Sequence, residues 1–194
     1  SGSGSEVTDF AILTHNKIKH PLVDKRLRPD YAIVNGGSQI VDQNETVVFS
    51  AEIDVATLKL VVAELLQITE DLFVQTREHF YSHKGKHTIQ KAVPFDFSAE
   101  DFPYPAQKIV TDVKDDAQAQ ALADKYNLAF TTYMGGTFRR YNHIDATKAL
   151  GNRNLMKLTG GTLEDIIAFG DDYGDFDMLP GGFIHGSKKT NSAT

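Results

Sequence analysis

The feature that most constrains this chain is the stretch AFGDDYGDFDML, residues 168 to 179. Asp171, Asp172, Asp175 and Asp177 fall within seven positions, directly behind the apolar run Ile166, Ile167, Ala168, Phe169. A short apolar run bounded by turn residues reads as a buried strand, and Gly170 allows it a tight exit. Four carboxylates at the end of such a strand repel one another, so water, basic partners or a cation must offset that repulsion. If the loop closes into a helical turn, Asp171 and Asp175 converge. Two carboxylates on one hard cation, with water and substrate phosphate completing the shell, is how Mg²⁺ is usually held. The competing reading is a solvated acidic loop that caps the helix begun by FDML. An EF-hand calcium loop does not fit, because the D-x-D-x-D-G order and the closing Glu are both missing.

Strand and helix signals alternate through the rest of the chain. The apolar run Phe10 to Leu13 ends in THNK and reads as a buried strand with an exposed C-terminal end. After the basic stretch KIKHPLVDKRLRP comes a strand in YAIVNGG, whose Gly36 and Gly37 signal a sharp turn. SQIVD and ETVVFSAEI are strands joined by the turn QNE. From Asp54, an expected N-cap, DVATLKLVVAELLQI has helical spacing. DLFVQTREHFYSHKGKHTIQKAV alternates like strands, with a hairpin turn expected at Lys84-Gly85-Lys86. PFDFSAEDFPYPAQ holds three of the six prolines and reads as a loop. KIVTDV is a strand, KDDAQAQALADKYN a helix, and LAFTTYMGGTFRRYNHI two strands around Gly135-Gly136. A further helix begins near Asp145 and stops at Gly160-Gly161. Thr162 and Asp165 then stand at near-capping-box spacing ahead of the acidic strand. The pattern is a β/α domain, residues 6–42 and 144–194, split by an α+β module at 43–143; the opening SGSGS, 1–5, reads as a linker or tag.

Composition narrows the function classes. A hydrophobic share of 41% and a charged share of 24% across 194 residues are ordinary for a soluble globular protein. A net charge of −6 argues against a nucleic-acid or membrane-surface partner. With no cysteine, disulfides, Cys-ligated zinc and thiol catalysis are excluded, which fits a cytoplasmic protein. No apolar run approaches the roughly 20 residues needed to cross a bilayer.

IIAFGDDYGDFDML resembles the fourth motif of the haloacid dehalogenase (HAD) superfamily, in which G-D-x-x-x-D follows a buried strand. DATKALGNRNLMKLTGGTLEDIIAFGDD is similar to the Cof-type sugar-phosphatase branch, where a lysine opens a helix and a glycine-containing loop precedes the motif strand. FAILTHN matches the second motif, a hydrophobic strand ending in Thr or Ser, and PDYAIVNGGSQI resembles the strand-turn that follows it. The resemblance implies a Rossmann-like parallel sheet as an α/β core, with residues 43–143 as an inserted α+β C2-type cap. It further implies a Mg²⁺-dependent phosphatase of small phosphorylated metabolites, sugar phosphates or similar. By that resemblance Asp171 and Asp175 are metal ligands, Lys148 neutralises the transferred phosphoryl group, and the Thr14 hydroxyl bonds one of its oxygens. Asn35 and Gly36 would line the substrate pocket. Gly174 departs from the Asn common in this branch.

The superfamily's nucleophile, the first Asp of an N-terminal D-x-D motif, has no counterpart ahead of Thr14, where only SGSGSEVTDF stands. Turnover through an aspartyl-phosphate is therefore expected of a full-length form. The alternative is a non-catalytic HAD-like fragment or descendant that binds a phosphorylated ligand or a protein partner. A third reading is a structural domain whose acidic turn binds nothing specific.

Three other groups are weighed. His79, His83 and His87 recur every fourth residue, but a hairpin there would scatter them. Arg139 and Arg140 are adjacent on a strand and so face opposite ways; one of them, taken as Arg139, is expected at the substrate. The basic runs Lys17 to Arg28 and Lys188-Lys189 read as solvated faces.

Overall fold

A computed structural model describes residues 11–13, 30–86, 92–133, 136–162, 167–169 and 183–185. The chain divides into two compact units, Ser1–Phe49 with Lys148–Thr194, and Ser50–Thr147. Together they form a mixed α/β protein that contains parallel strand pairs.

In the first unit, β1 (Ala11–Leu13) runs parallel to β2 (Tyr31–Val34), with Leu13 opposite Ile33. A 3₁₀ turn at Asn35–Gly37 reverses the chain into β3 (Gln39–Asp42), antiparallel to β2, and β4 (Val47–Ser50) completes the order β1-β2-β3-β4. Alternation sorts this sheet into two buried sets. Ile33 and Ile40 pack with Leu155 of helix α3 (Lys148–Thr159), while Ala32, Val34 and Val41 form a separate cluster. A near-continuous apolar strand such as YAIV follows from having both faces covered. Gly160, at φ 77°, ends α3 as a left-handed C-terminal residue. The six intervening strands belong to the second unit. In the first, the acidic motif's strand is present as β11 (Ile167–Phe169), parallel to β12 (Phe183–His185).

The second unit is a six-stranded sheet covered on one face by two helices. Its strands are β5 (Leu72–Gln75), β6 (Phe80–His83), β7 (Val93–Phe95), β8 (Lys108–Thr111), β9 (Leu128–Tyr133) and β10 (Phe138–His143), in the order β7-β6-β5-β8-β10-β9. Helix α1 (Val55–Leu65) begins at Asp54, whose carboxylate accepts from the Thr57 amide at 3.0 Å and the Thr57 hydroxyl at 2.6 Å. Helix α2 (Asp116–Lys125) is capped by Asp115 in the same way, through the amides of Ala117 and Gln118. Leu58, Val61, Val62 and Leu65 of α1, one stripe at helical spacing, join Ala119, Leu122 and Ala123 of α2 in the core. The sheet contributes alternate residues to it, Leu72 and Val74, Ile109, and Tyr141.

Three sequence expectations change. Lys84, at φ 48°, and Gly85, at φ 68°, do turn the chain after β6, but β7 returns parallel to β6 and not as a hairpin partner. Alternation reports which residues share a face, not strand direction. Pro94, expected in a loop, lies within β7, an edge strand where its missing N–H costs no ladder bond. Helix α3 starts at Lys148 and not near Asp145, because Ala146 closes a turn onto the His143 carbonyl. No described helix is long and apolar enough to cross a membrane.

Candidate functional site

The first unit brings three segments together at one point. The chain leaves β2 through Asn35, Gly36 and Gly37, all at positive φ (56°, 74° and 98°) and all buried. Asn tolerates the left-handed region better than most residues, and glycine enters it without penalty. The turn is braced by the Ser38 hydroxyl, which donates to the Asn35 carbonyl at 3.1 Å, and by Asn35 Nδ2, which donates to Gln39 Oε1 at 3.5 Å.

Helix α3 approaches this turn at Gly151. A Cβ there would stand 2.7 Å from Ile33 Cγ2 and 3.4 Å from Gly37 Cα, so only glycine lets the helix come this near. Lys148 opens α3 three residues earlier, within the helix's first turn. Leu13, the last residue of β1, is paired with the same Ile33. Asn35, Gly36, Gly151 of α3 and the C-terminal end of β1 thus converge around Ile33. A helix N-terminus with its unpaired amides favours an anion. Thr14, immediately after β1, and Asp171 and Asp175, beyond the end of β11 at Phe169, lie outside the described residues.

Arg139 is placed in the second unit and is engaged there. Its Nε donates to Asp116 Oδ1 at 2.8 Å, one terminal nitrogen donates to the Gly136 carbonyl at 2.6 Å, and the other donates to the Lys114 carbonyl at 3.2 Å. At 5% exposure it ties the β9–β10 turn to the start of α2. Arg140 opposes Val110 on the other face of the sheet, the face that also carries Lys108. Strand parity separates the two arginines already in the sequence.

The histidines are dispersed. His79 precedes β6 and stacks edge-on against Tyr81, with 6.0 Å between ring centroids. His83 ends β6, 2% exposed, with Nδ1 4.0 Å from Asp96 Oδ1. Burial first, then the charge of Lys84, lower its pKa, and Asp96 opposes the shift. His87 lies outside the described residues, and among those described no group of three potential ligands could hold a metal ion.

The comparisons fit this architecture. The haloacid dehalogenase-like hydrolase family matches residues 14–181, and the chain belongs to that family. Among solved structures, the chain is similar to a haloacid dehalogenase-like hydrolase from B. subtilis, at 15% identity and a TM-score of 0.61, covering 78% of this chain and 66% of that one. It is also similar to a Bacteroides thetaiotaomicron phosphatase of the haloalkanoate superfamily, at 14% identity and a TM-score of 0.64, covering 94% and 85%. A HAD subclass IIB sugar phosphatase gives 15% identity and a TM-score of 0.60, covering 79% and 62%. At these identities the likeness is one of fold. The chain spans just under two thirds of the B. subtilis structure and less of the sugar phosphatase. No curated protein matches the sequence.

Proposed function

We propose that the protein is a Mg²⁺-dependent phosphatase of small phosphorylated metabolites, with sugar phosphates as the substrate class. The observation that carries this reading is the family match over residues 14–181, which spans Thr14, Lys148, Asp171 and Asp175 in one alignment. The convergence of β1, the Asn35–Gly37 turn and the first turn of α3 supports it, since it gathers the segments bearing Thr14 and Lys148. The similar sugar phosphatase supports the substrate class.

In this reading Thr14 donates a hydrogen bond to a phosphoryl oxygen, Lys148 balances its charge, and Asn35 and Gly36 shape the pocket wall. Positioning and charge neutralisation supply most of the catalysis in phosphoryl transfer. Asp171 and Asp175 are the donors for the metal: two oxygen ligands suit a hard divalent cation that keeps several waters. When bound, Mg²⁺ would supply charge neutralisation at the phosphate. The second unit would act as the cap. Arg139 anchors its own hairpin in this scheme, since its donors are already engaged.

Turnover through an aspartyl-phosphate is proposed for a full-length form. The test is Mg²⁺-dependent release of phosphate from an aryl phosphate by such a form, with Asp171→Ala as the control. Release abolished by chelator and by D171A supports the reading. Phosphate release that persists in D171A would rule it out.

A further inference from the structure

The two edges of the second unit's sheet are finished differently. At one edge, β7 is three residues long and carries Pro94 at its centre. Short length and proline both discourage a further strand from adding there. At the other edge stands β9, six residues with the sequence LAFTTY, without a charge or a proline. Phenylalanine, threonine and tyrosine are strong strand formers. Its register with β10 is unbroken, from Leu128 opposite His143 to Tyr133 opposite Phe138, so no bulge turns this edge aside.

In an antiparallel ladder the amide and carbonyl of one residue point to the same side, and successive residues point to opposite sides. Three of the six residues of β9 therefore turn both backbone groups away from β10. Among the described residues, no strand, turn or side chain hydrogen-bonds to that outer side. Thr132 is exposed, and Ala129, Phe130 and Thr131 are partly buried. Folded proteins shorten, charge, bend or cover an edge strand to keep other chains off it. The shortening and the proline found at β7 have no counterpart at β9.

We propose that β9 is a dimer interface, pairing antiparallel with β9 of a second copy of this chain about a two-fold axis. The strand's own sequence selects that partner. An axis perpendicular to the sheet keeps α1 and α2 of both copies on one face, so residues of like parity meet and one residue stands opposite its own copy. The largest overlap puts Phe130 or Thr131 on the axis. With Thr131 there, Thr131 meets Thr131 and Phe130 meets Thr132; with Phe130 there, Phe130 meets Phe130 and Ala129 meets Thr131. Threonine and aromatic pairs of this kind are favourable across strands, and LAFTTY sets no like charges opposite. Self-pairing satisfies two such edges at once. The blunted β7 edge then leaves nothing to extend, so assembly closes at two copies and does not run on as a filament. This goes beyond the catalytic reading and does not depend on it, because every residue involved lies within Ser50–Thr147.

The test is the oligomeric state of the whole chain. Sedimentation velocity over a concentration series should show a monomer–dimer equilibrium, with the dimer dominant at ~100 µM and no larger species. Thr132 is exposed, so Thr132→Lys adds the charge that protected edges carry without emptying the core. It should raise the dimer dissociation constant by about tenfold or more. Val93→Lys, at an exposed position of β7, should leave that constant unchanged. A chain that stays monomeric throughout would overturn the proposal and leave the edge to an extended segment of another protein. A dimer that Thr132→Lys does not weaken, or that Val93→Lys weakens equally, would overturn it too, as would species that grow beyond two copies.

A second measurement reads the register and does not depend on the lysine variants folding. The chain has no cysteine, so a single introduced thiol can cross-link only to its own copy. A disulfide needs Cα atoms about 4.4–6.8 Å apart, which in this pairing only the residue on the axis provides. Under mild oxidation, Phe130→Cys or Thr131→Cys should give a covalent dimer, and Val93→Cys should not. Cross-linking at either β9 position and not at residue 93 supports the interface, and the faster of the two names the residue on the axis. Cross-linking at neither β9 position, or at residue 93 as readily, would overturn the proposal.

Discussion

Gly151 of α3 and Ile33 of β2 are packed so closely that a methyl group on Gly151 would stand 2.7 Å from Ile33 Cγ2. Ile33 is 1% exposed, and a β-branched side chain has little rotamer freedom with which to yield. Alanine at 151 gains about 1 kcal/mol of helix propensity over glycine, whereas overpacking a tight contact costs about 1–3 kcal/mol. Gly151→Ala is therefore expected to lower stability by about 1 kcal/mol, read by denaturant unfolding. Ile33→Leu removes the offending Cγ2, so the G151A/I33L pair should recover part of the loss as a positive coupling in a double-mutant cycle. Strict additivity would show that this contact does not set the helix's approach.

Arg139 holds the β9–β10 turn to the start of α2 through four hydrogen bonds, to Asp116, Gly136, Thr137 and Lys114. Arg139→Met leaves the Gly136 and Lys114 carbonyls without these donors and should destabilise the chain by about 2–4 kcal/mol. Asp116→Asn should cost far less, since its carboxylate is 63% exposed and water replaces the partner. If Arg139→Met left stability intact and weakened only ligand binding, the anchoring role would be wrong.

The Tyr141 hydroxyl is buried and, among the described residues, has no hydrogen-bond partner. Desolvation raises its pKa to about 12, against a smaller opposing effect of Arg139. Tyr141→Phe removes a buried polar group that gains nothing, and is expected to be neutral or stabilising by up to about 1 kcal/mol. The sign of the pH effect follows from linkage. Above pH ~10 the unfolded chain loses this proton and the folded chain keeps it, so wild-type stability falls between about pH 10 and 12. Y141F should lose that part of the alkaline decline, as thermal melts across the range would show.

His83 gives the opposite end of the profile. Its folded-state pKa is lowered, chiefly by burial, so the unfolded chain takes up the proton first as pH falls. Stability from the neutral imidazole is present above the unfolded value of about 6.5 and is lost as pH falls through the folded one. His83→Phe, among Phe95 and Phe97, should flatten the dependence of melting temperature on pH below about 6.5. An unchanged acid limb in H83F would assign that dependence to other groups.

What the sequence made legible was local or periodic. The Asp54 cap, the Asn35–Gly37 turn and the stripe Leu58, Val61, Val62, Leu65 each depend on neighbours within a few residues. The opposite facing of Arg139 and Arg140 followed from strand parity alone. The parallel return of β7 did not, because alternation is blind to direction. The contact of Gly151 with Ile33 joins residues more than a hundred positions apart, and no spacing rule reaches that far. Thr14, Asp171 and Asp175 were legible as motif residues, and the roles given to them are proposals.

The reading of this chain as a metal-dependent phosphatase turns on the acidic loop, and calorimetric titration with Mg²⁺ tests it most directly. In the presence of a phosphate ester, one Mg²⁺ should bind per chain, and Asp171→Asn and Asp175→Asn should each abolish the heat. Mg²⁺ at 100 times its dissociation constant should then stabilise the wild-type fold by about 2.7 kcal/mol. If wild type and both variants bind Mg²⁺ alike, or none binds it, the carboxylates of residues 171 and 175 do not form a metal site and the proposed function is wrong.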